Sequence, residues 1–258
     1  MHRVQGDGAP LVLIPGGLTD YQSLDPLVPK LAAQGYRVIT VQPIANDRGG
    51  SGQAGVDDYD AEVERESLRL TVEATAPGQA VHVVGWSNGA RAALAFAAGH
   101  PDRVTSVVAV EPPMMWLLPD DPGARELRQL VDALHGKHVD EDHLQTFLAN
   151  VRVAPEGTDY RSLPQWPAWS QVRQTLSWYG QRVTGSAQAQ LEDLESIHVP
   201  VLLLRGTWTA PWLRGVVDLL AERLPDARVR DLEGGHACLL QSADDFVAAV
   251  DEHARAYA

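Results

Sequence analysis

The sequence predicts an α/β fold, a mainly parallel sheet with helices on both faces and a helical cap inserted late in the sheet. Three observations carry this expectation. Short apolar, β-branched runs alternate with stretches of helical spacing over the first 110 residues, and strands that alternate with helices pair in parallel. The alternation stops at Pro112 and resumes near residue 199, so an insertion is expected between two strands of one sheet. Within the alternating part, Val81-His82-Val83-Val84 runs through Gly85-Trp86-Ser87-Asn88-Gly89 into an Ala-rich stretch. That is the layout of a strained strand-to-helix turn, an elbow that pushes a serine hydroxyl out above a sheet.

Taken in order, Leu11-Val12-Leu13-Ile14 reads as a buried strand closed by Pro15-Gly16-Gly17-Leu18. Residues 21–34 have helical spacing at Leu24, Leu27 and Leu31 and meet a stop at Gly35. Residues 36–41 form the next strand, and residues 46–52, rich in Gly, Asn and Asp, read as a loop. Residues 60–74 read as a helix with Glu and Arg at i, i+3 and i+4. The elbow strand and helix follow, then a strand over 103–110 that ends at Glu111-Pro112-Pro113. Helical stretches, Pro-containing breaks and Trp116, Trp166, Trp169 and Trp178 fill the expected cap, residues 112–194. A strand over 199–206, a helix over 212–224 and a strand over 227–232 lead to Glu233-Gly234-Gly235-His236 and a last helix over 243–253. The core is thus expected in residues 1–111 and 195–258.

A length of 258 residues suits one large domain with an insertion. Hydrophobic content of 45% and charged content of 21% are those of an ordinary globule. The net charge of −13, with lysine only at Lys30 and Lys137, offers no basic stripe for nucleic acid or an anionic membrane. One cysteine, Cys238, rules out an internal disulfide and fits a reducing compartment. No apolar run approaches the length of a signal or membrane span. A cytoplasmic enzyme is the expectation, with a homo-oligomer left open.

A serine hydroxyl is a weak nucleophile until an adjacent base takes its proton. With Ser87 as nucleophile, the base is expected on a late loop. Of the histidines, His236 follows a strand at the sheet edge, sits after two glycines and precedes the terminal helix. His82 lies inside the elbow strand and reads as a packed residue, and His100, His198 and His253 read as loop or helix-surface positions. His135, His138 and His143 among Asp140, Glu141 and Asp142 match no compact ligand spacing and read as a solvated face. No metal and no cofactor are implied. Asn88, directly after the nucleophile, and Gly17 in the loop after the first long strand are the expected backbone N–H donors to an oxyanion.

The acid is an anomaly. Its usual place is the loop over residues 206–212, which holds no carboxylate, and Asp218 falls well inside a helix. Glu111, at the C-terminal end of the strand after the elbow helix, stands where catalytic groups gather in open parallel sheets. Asp120 and Asp121 are weaker substitutes.

Gly85-Trp86-Ser87-Asn88-Gly89 and Gly234-Gly235-His236 together resemble the α/β-hydrolase superfamily, over nearly the whole chain. Pro15 in the oxyanion loop and a glutamate followed by prolines after the strand beyond the elbow are similar to the zearalenone lactone hydrolase group. That resemblance implies a serine hydrolase with Ser87, Glu111 and His236 as triad and Gly17 and Asn88 at the oxyanion. It also implies that Trp178, in Ser177-Trp178-Tyr179-Gly180 ahead of Leu191-Glu192-Asp193-Leu194, is a cap tryptophan touching the ligand. Trp86, Trp208 and Leu18 join it as candidate substrate contacts, and Trp212 adds to the same aromatic set, with ordinary packing an equal alternative for the tryptophans. The expected partner is a small apolar ester or lactone. C–C bond hydrolysis, thioester or perhydrolase chemistry, and a non-catalytic receptor stay as alternatives; retention of both Ser87 and His236 favours an enzyme.

Overall fold

The computed structural model describes residues 1–50, 60–179 and 194–258. Seven strands form one sheet in the order β1-β3-β2-β4-β5-β6-β7. They are β1 (His2–Gln5), β2 (Ala9–Ile14), β3 (Tyr36–Val41), β4 (Val81–Trp86), β5 (Val104–Val110), β6 (Val201–Gly206) and β7 (Ala227–Leu232). β1 pairs antiparallel with β3 and every other pairing is parallel. Period-2 alternation sends neighbouring side chains of each strand to opposite faces. Val12 and Ile14 of β2 join Val83 and Ala109 in one apolar layer; Leu11 and Leu13 join Val84, Val108 and Leu204 in the other. Covered on both sides, the inner strands read as continuous apolar runs, as parallel sheets do.

Helices α1 (Val28–Ala33), α2 (Ile44–Gly50), α3 (Ala61–Thr75) and α4 (Asn88–Gly99) lie before β5. After β5 the chain forms α5 (Pro122–Leu134), α6 (Glu141–Val151) and α7 (Trp166–Val172), with short 3₁₀ turns, before β6. The remaining helices among the described residues are α8 (Pro211–Arg223), α9 (Cys238–Gln241) and α10 (Ala243–Ala256). Leu31 of α1 and Phe246 of α10 pack on one face of the sheet. Val72 of α3, Phe96 of α4 and Val216 of α8 pack on the other, continuous with Leu127 and Leu148 of the helical segment between β5 and β6, called the cap below.

Two elements and one buried histidine differ from expectation here, each for a local reason. The helix expected over 21–34 is a 3₁₀ turn, Tyr21–Leu24, followed by α1. Pro26 disfavours helix at the residue before it, and Pro29 falls where α1 tolerates it, in its first turn. The loop expected at 46–52 is instead α2 through residue 50, residues 51 and 52 lying outside the described ones. Glu64 of α3 accepts from the N–H groups of Ile44 (3.2 Å) and Ala45 (3.0 Å), so a distant side chain caps this helix. His253, expected on a helix surface, is buried in the face of α10 that meets the sheet. Among the described residues no helix is long and apolar enough to cross a membrane.

Candidate active site

β4 ends in the elbow, and the geometry shows why its glycines are needed. A Cβ on Gly85 would lie 2.2 Å from the Gly89 carbonyl oxygen, and one on Gly89 2.5 Å from the Ile14 carbonyl oxygen. Ser87 sits at φ 54° and ψ −119°, a conformation that non-glycine residues adopt only when their surroundings impose it. Its N–H donates to the Val110 carbonyl of the neighbouring strand at 2.8 Å. The hydroxyl is thereby held at the N-terminus of α4, over the C-terminal edge of the sheet.

Glu111 follows the last residue of β5 and is also left-handed, at φ 44°. It is completely buried. A buried carboxylate is tolerated only when its oxygens are matched by donors. Gly206 N–H donates to Oε1 at 2.6 Å, Thr209 Oγ1 donates to Oε2 at 2.8 Å, and His236 Nδ1 lies 2.7 Å from Oε2. The loop at 206–212 therefore supplies donors to the carboxylate in place of a carboxylate of its own. Thr209 was not among the sequence candidates; its signal was its position in that loop.

The other ring nitrogen of His236, Nε2, is 2.9 Å from Ser87 Oγ. The histidine is buried, and its backbone is fixed from two sides. Its N–H donates to the Arg152 carbonyl at the C-terminus of α6 (3.0 Å), and its carbonyl accepts from Trp86 Nε1 (2.7 Å). Ser87, His236 and Glu111 thus form one continuous chain of hydrogen-bonding contacts. A nucleophile, a base within reach of its proton and a group that orients the base make up the geometry of acyl transfer. The lone cysteine, Cys238, is no rival nucleophile: burial, and then the charge of Glu111, push its thiol pKa far up.

These side chains open into a cavity of about 690 Å³, within the range of small-molecule sites. Gly17, Leu18, Trp86, Ser87, Asn88 and His236 line its floor, and Met115, Trp116, Leu127, Phe147 and Trp169 of the cap line much of the remaining wall. Two proposed substrate contacts do not reach it. Trp178 is fully buried at the end of the 3₁₀ turn Arg173–Trp178, so it is core of the cap; its neighbour Tyr179 faces the cavity instead. Leu191, Glu192 and Asp193 lie outside the described residues. Trp208 packs beneath the histidine loop, so close that a Cβ on Gly235 would lie 2.2 Å from its ring. Trp212, also buried, donates from Nε1 to Asn150 Oδ1 at 3.0 Å and ties α8 to α6. Trp116 and Trp169 line the site that the aromatic count of the cap had suggested.

The weaker acid candidates are placed elsewhere. Asp120 is exposed, and Asp121 caps α5 by accepting from Ala124 N–H at 2.9 Å; Asp218 of α8, already set aside from the sequence, pairs with Arg205 of β6. His82 is buried with Nδ1 2.9 Å from Ser106 Oγ. His143 joins Asp140 in a capping box at the start of α6. Among the described residues, no three potential metal ligands are gathered.

Comparison with known proteins follows the same lines. The family model for the alpha/beta hydrolase fold matches residues 9–243. A zearalenone hydrolase of Bionectria ochroleuca is 30% identical over 154 residues, 58% of this chain, and the match spans only 52% of that protein. A pimeloyl-[acyl-carrier protein] methyl ester esterase of Aeromonas hydrophila is 26% identical over 260 residues, 95% of each chain. A thermophilic esterase from Thermogutta terrifontis superposes with a TM-score of 0.74 at 16% identity, covering 100% of this chain and 93% of the other; at that identity the likeness speaks for the fold alone.

Proposed function

The chain belongs to the alpha/beta hydrolase fold family, and from that premise we propose that it is a serine hydrolase of carboxylic esters or lactones with an apolar body. The observation that carries the proposal is the unbroken contact chain from Ser87 Oγ through His236 to Glu111 at the floor of an apolar cavity. In this reading His236 Nε2 takes the Ser87 proton as Oγ attacks the carbonyl carbon. Glu111 keeps Nδ1 protonated, which leaves Nε2 free to accept, and offsets the imidazolium charge. The backbone N–H groups of Gly17 and Asn88 receive the oxyanion. His236 then gives its proton to the leaving alkoxide. A water, deprotonated by the same nitrogen, attacks the acyl carbon, and collapse of the second tetrahedral intermediate returns the proton to Ser87.

The expected cap, residues 112–194, is the part of the chain that sets substrate size in this reading. Trp116 and Trp169 favour a flat or macrocyclic apolar group over a short acyl chain. The similarity to a zearalenone hydrolase points the same way, and the similarity to a methyl ester esterase supports the ester bond itself. A non-catalytic receptor is disfavoured because three hydrogen bonds on a buried Glu111 do nothing for ligand binding. The test is a fluorophosphonate probe with peptide mapping, run beside a panel of aryl esters, macrolactones and β-diketones. Labelling at Ser87 with turnover of esters or lactones is expected. Absence of labelling, or turnover confined to the diketones, would overturn the reading.

A further inference from the structure

The N–H of Gly17 belongs to the peptide plane whose carbonyl is that of Gly16. In a trans peptide the two point in opposite directions, so whatever holds the Gly16 oxygen aims the Gly17 N–H. Glycine on both sides of this bond lets the plane rotate more freely than other residues would. A plane turned over would offer the reacting carbonyl an oxygen where it needs a donor. The loop therefore requires an anchor.

That anchor lies on α2. Asn46 is buried, and its Nδ2 donates one hydrogen to the Gly16 carbonyl at 2.7 Å and the other to the Thr19 carbonyl. Thr19 Oγ1 adds a second bond to the Gly16 oxygen at 3.0 Å. Asn46 Oδ1 accepts from the Tyr179 hydroxyl at 3.3 Å, while the two loop carbonyls, which can only accept, require the amide nitrogen on their side. Tyr179 comes from the cap. Its hydroxyl is also 3.3 Å from the Gly17 carbonyl and accepts from Asn88 Nδ2 at 3.4 Å. Asn88 Oδ1 in turn accepts from Arg91 Nε at 3.1 Å. Burial, and then the negative charge of Glu64, push the Tyr179 pKa far up, so the phenol keeps the proton that this orientation uses.

We infer that Asn46 is a positioning residue for the oxyanion hole, and that Tyr179 sets the orientation of Asn46 from the cap side. The inference rests on the serine hydrolase reading above. Neither side chain touches the reacting atoms; both act through the Gly16–Gly17 peptide. Loss of one oxyanion donor slows acyl transfer about 10²–10³-fold, and a misaimed donor is expected to cost part of that.

The experiment compares Asn46→Ala, the nearly isosteric Asn46→Asp, Tyr179→Phe and the Asn46→Ala/Tyr179→Phe double variant, on p-nitrophenyl butyrate and on an aryl trifluoromethyl ketone. The expected result is a kcat lower by about 10–100-fold for both Asn46 variants, with KM within about threefold and ketone affinity falling in parallel with kcat. Tyr179→Phe should lose less, and the double variant should fall short of the product of the single losses, because one residue acts through the other. A kcat within twofold of the parent for Asn46→Asp overturns the inference. So does a kcat loss with unchanged ketone affinity, or strictly multiplicative losses in the double variant. Ser87→Ala is run in the same assay. Turnover surviving in that variant would sink the serine hydrolase reading itself, whereas a dead Ser87→Ala with an active Asn46→Asp rejects only the role of Asn46.

Discussion

Around Glu111 the edge of the sheet gathers polar contacts: three donors within 2.8 Å of a carboxylate that no water reaches. Across the cavity the cap presents mostly ring and methyl groups, Trp116, Trp169, Met115 and Phe147 among them. Directional bonds fix atoms to a few tenths of an ångström, which proton transfer requires. Apolar contact is non-directional and scales with area, which suits a wall that recognises size and shape. In the serine hydrolase reading proposed above, the contrast assigns chemistry and selectivity to two kinds of interaction in two places. Substitutions on either side should therefore fail in different ways.

The largest effect belongs to the edge. Ser87→Ala should lower kcat by roughly 10⁵-fold or more while the melting temperature stays close to that of the parent, since one hydroxyl is lost from a preformed turn. Turnover near the parent's would break the assignment. Glu111→Gln should lower kcat by about 10³-fold at neutral pH, because an amide neither fixes the His236 tautomer nor offsets its charge. Thr209 Oγ1 lies 2.8 Å from Glu111 Oε2, so Thr209→Asp in the Glu111→Gln background puts a carboxylate beside the histidine's partner position. Partial recovery of kcat is expected there, and Thr209→Asp alone should be destabilised by two adjacent buried carboxylates. Full activity of Glu111→Gln would show that the acid lies elsewhere.

The cap should show the opposite pattern. Trp169→Ala should cut kcat/KM for a large aromatic lactone by about tenfold or more through lost apolar area, yet leave a short aryl ester almost unchanged. Trp178→Ala, one residue from the cavity-lining Tyr179, should instead cost about 3–5 kcal/mol of stability by creating a cavity in the cap, with both substrates affected alike. Steady-state kinetics on the two substrates and a melting curve separate the cases. Equal substrate losses at Trp169 would erase the distinction drawn here.

The smallest effect is a pH dependence of stability in the core. His82 and His253 are both buried, and burial lowers both pKa values; a charged His253 lowers that of His82 further. A folded-state pKa below the unfolded value of about 6.5 means that the unfolded chain binds more protons below that pH. This contribution is complete above about pH 6.5 and is lost as pH falls toward the folded values. Melting temperature should decline from about pH 6.5 to 5, and His253→Phe should make the decline shallower. An unchanged slope would remove His253 from the account.

What the sequence displayed follows the same division. The inner strands of the sheet were legible because they are buried on both faces and read as apolar runs, and the elbow because its glycines have no steric alternative. Ser87, Glu111 and His236 could be named because each stands at the end of a strand or in the turn after one, where topology alone brings residues together. β1 was missed because all four of its residues are exposed and carry no apolar run. α2 was missed because its cap, Glu64, is 19 residues away from Ala45. In the cap, Trp178 and Trp169 have the same side chain, and only packing decides which one faces the cavity. Local pattern does not encode that choice.

Gly235 allows the cap to approach the sheet more closely than any other residue would permit. A Cβ there would lie 2.3 Å from the Arg152 carbonyl oxygen, the oxygen that holds the His236 N–H. The end of α6 and the base of the site are therefore a single mechanical part. In the serine hydrolase reading, a cap displaced as a rigid body would carry off the brace of His236 with it. Grafting a foreign cap onto this sheet, to change what the cavity accepts, would succeed only if the graft returned a carbonyl to that same point in space.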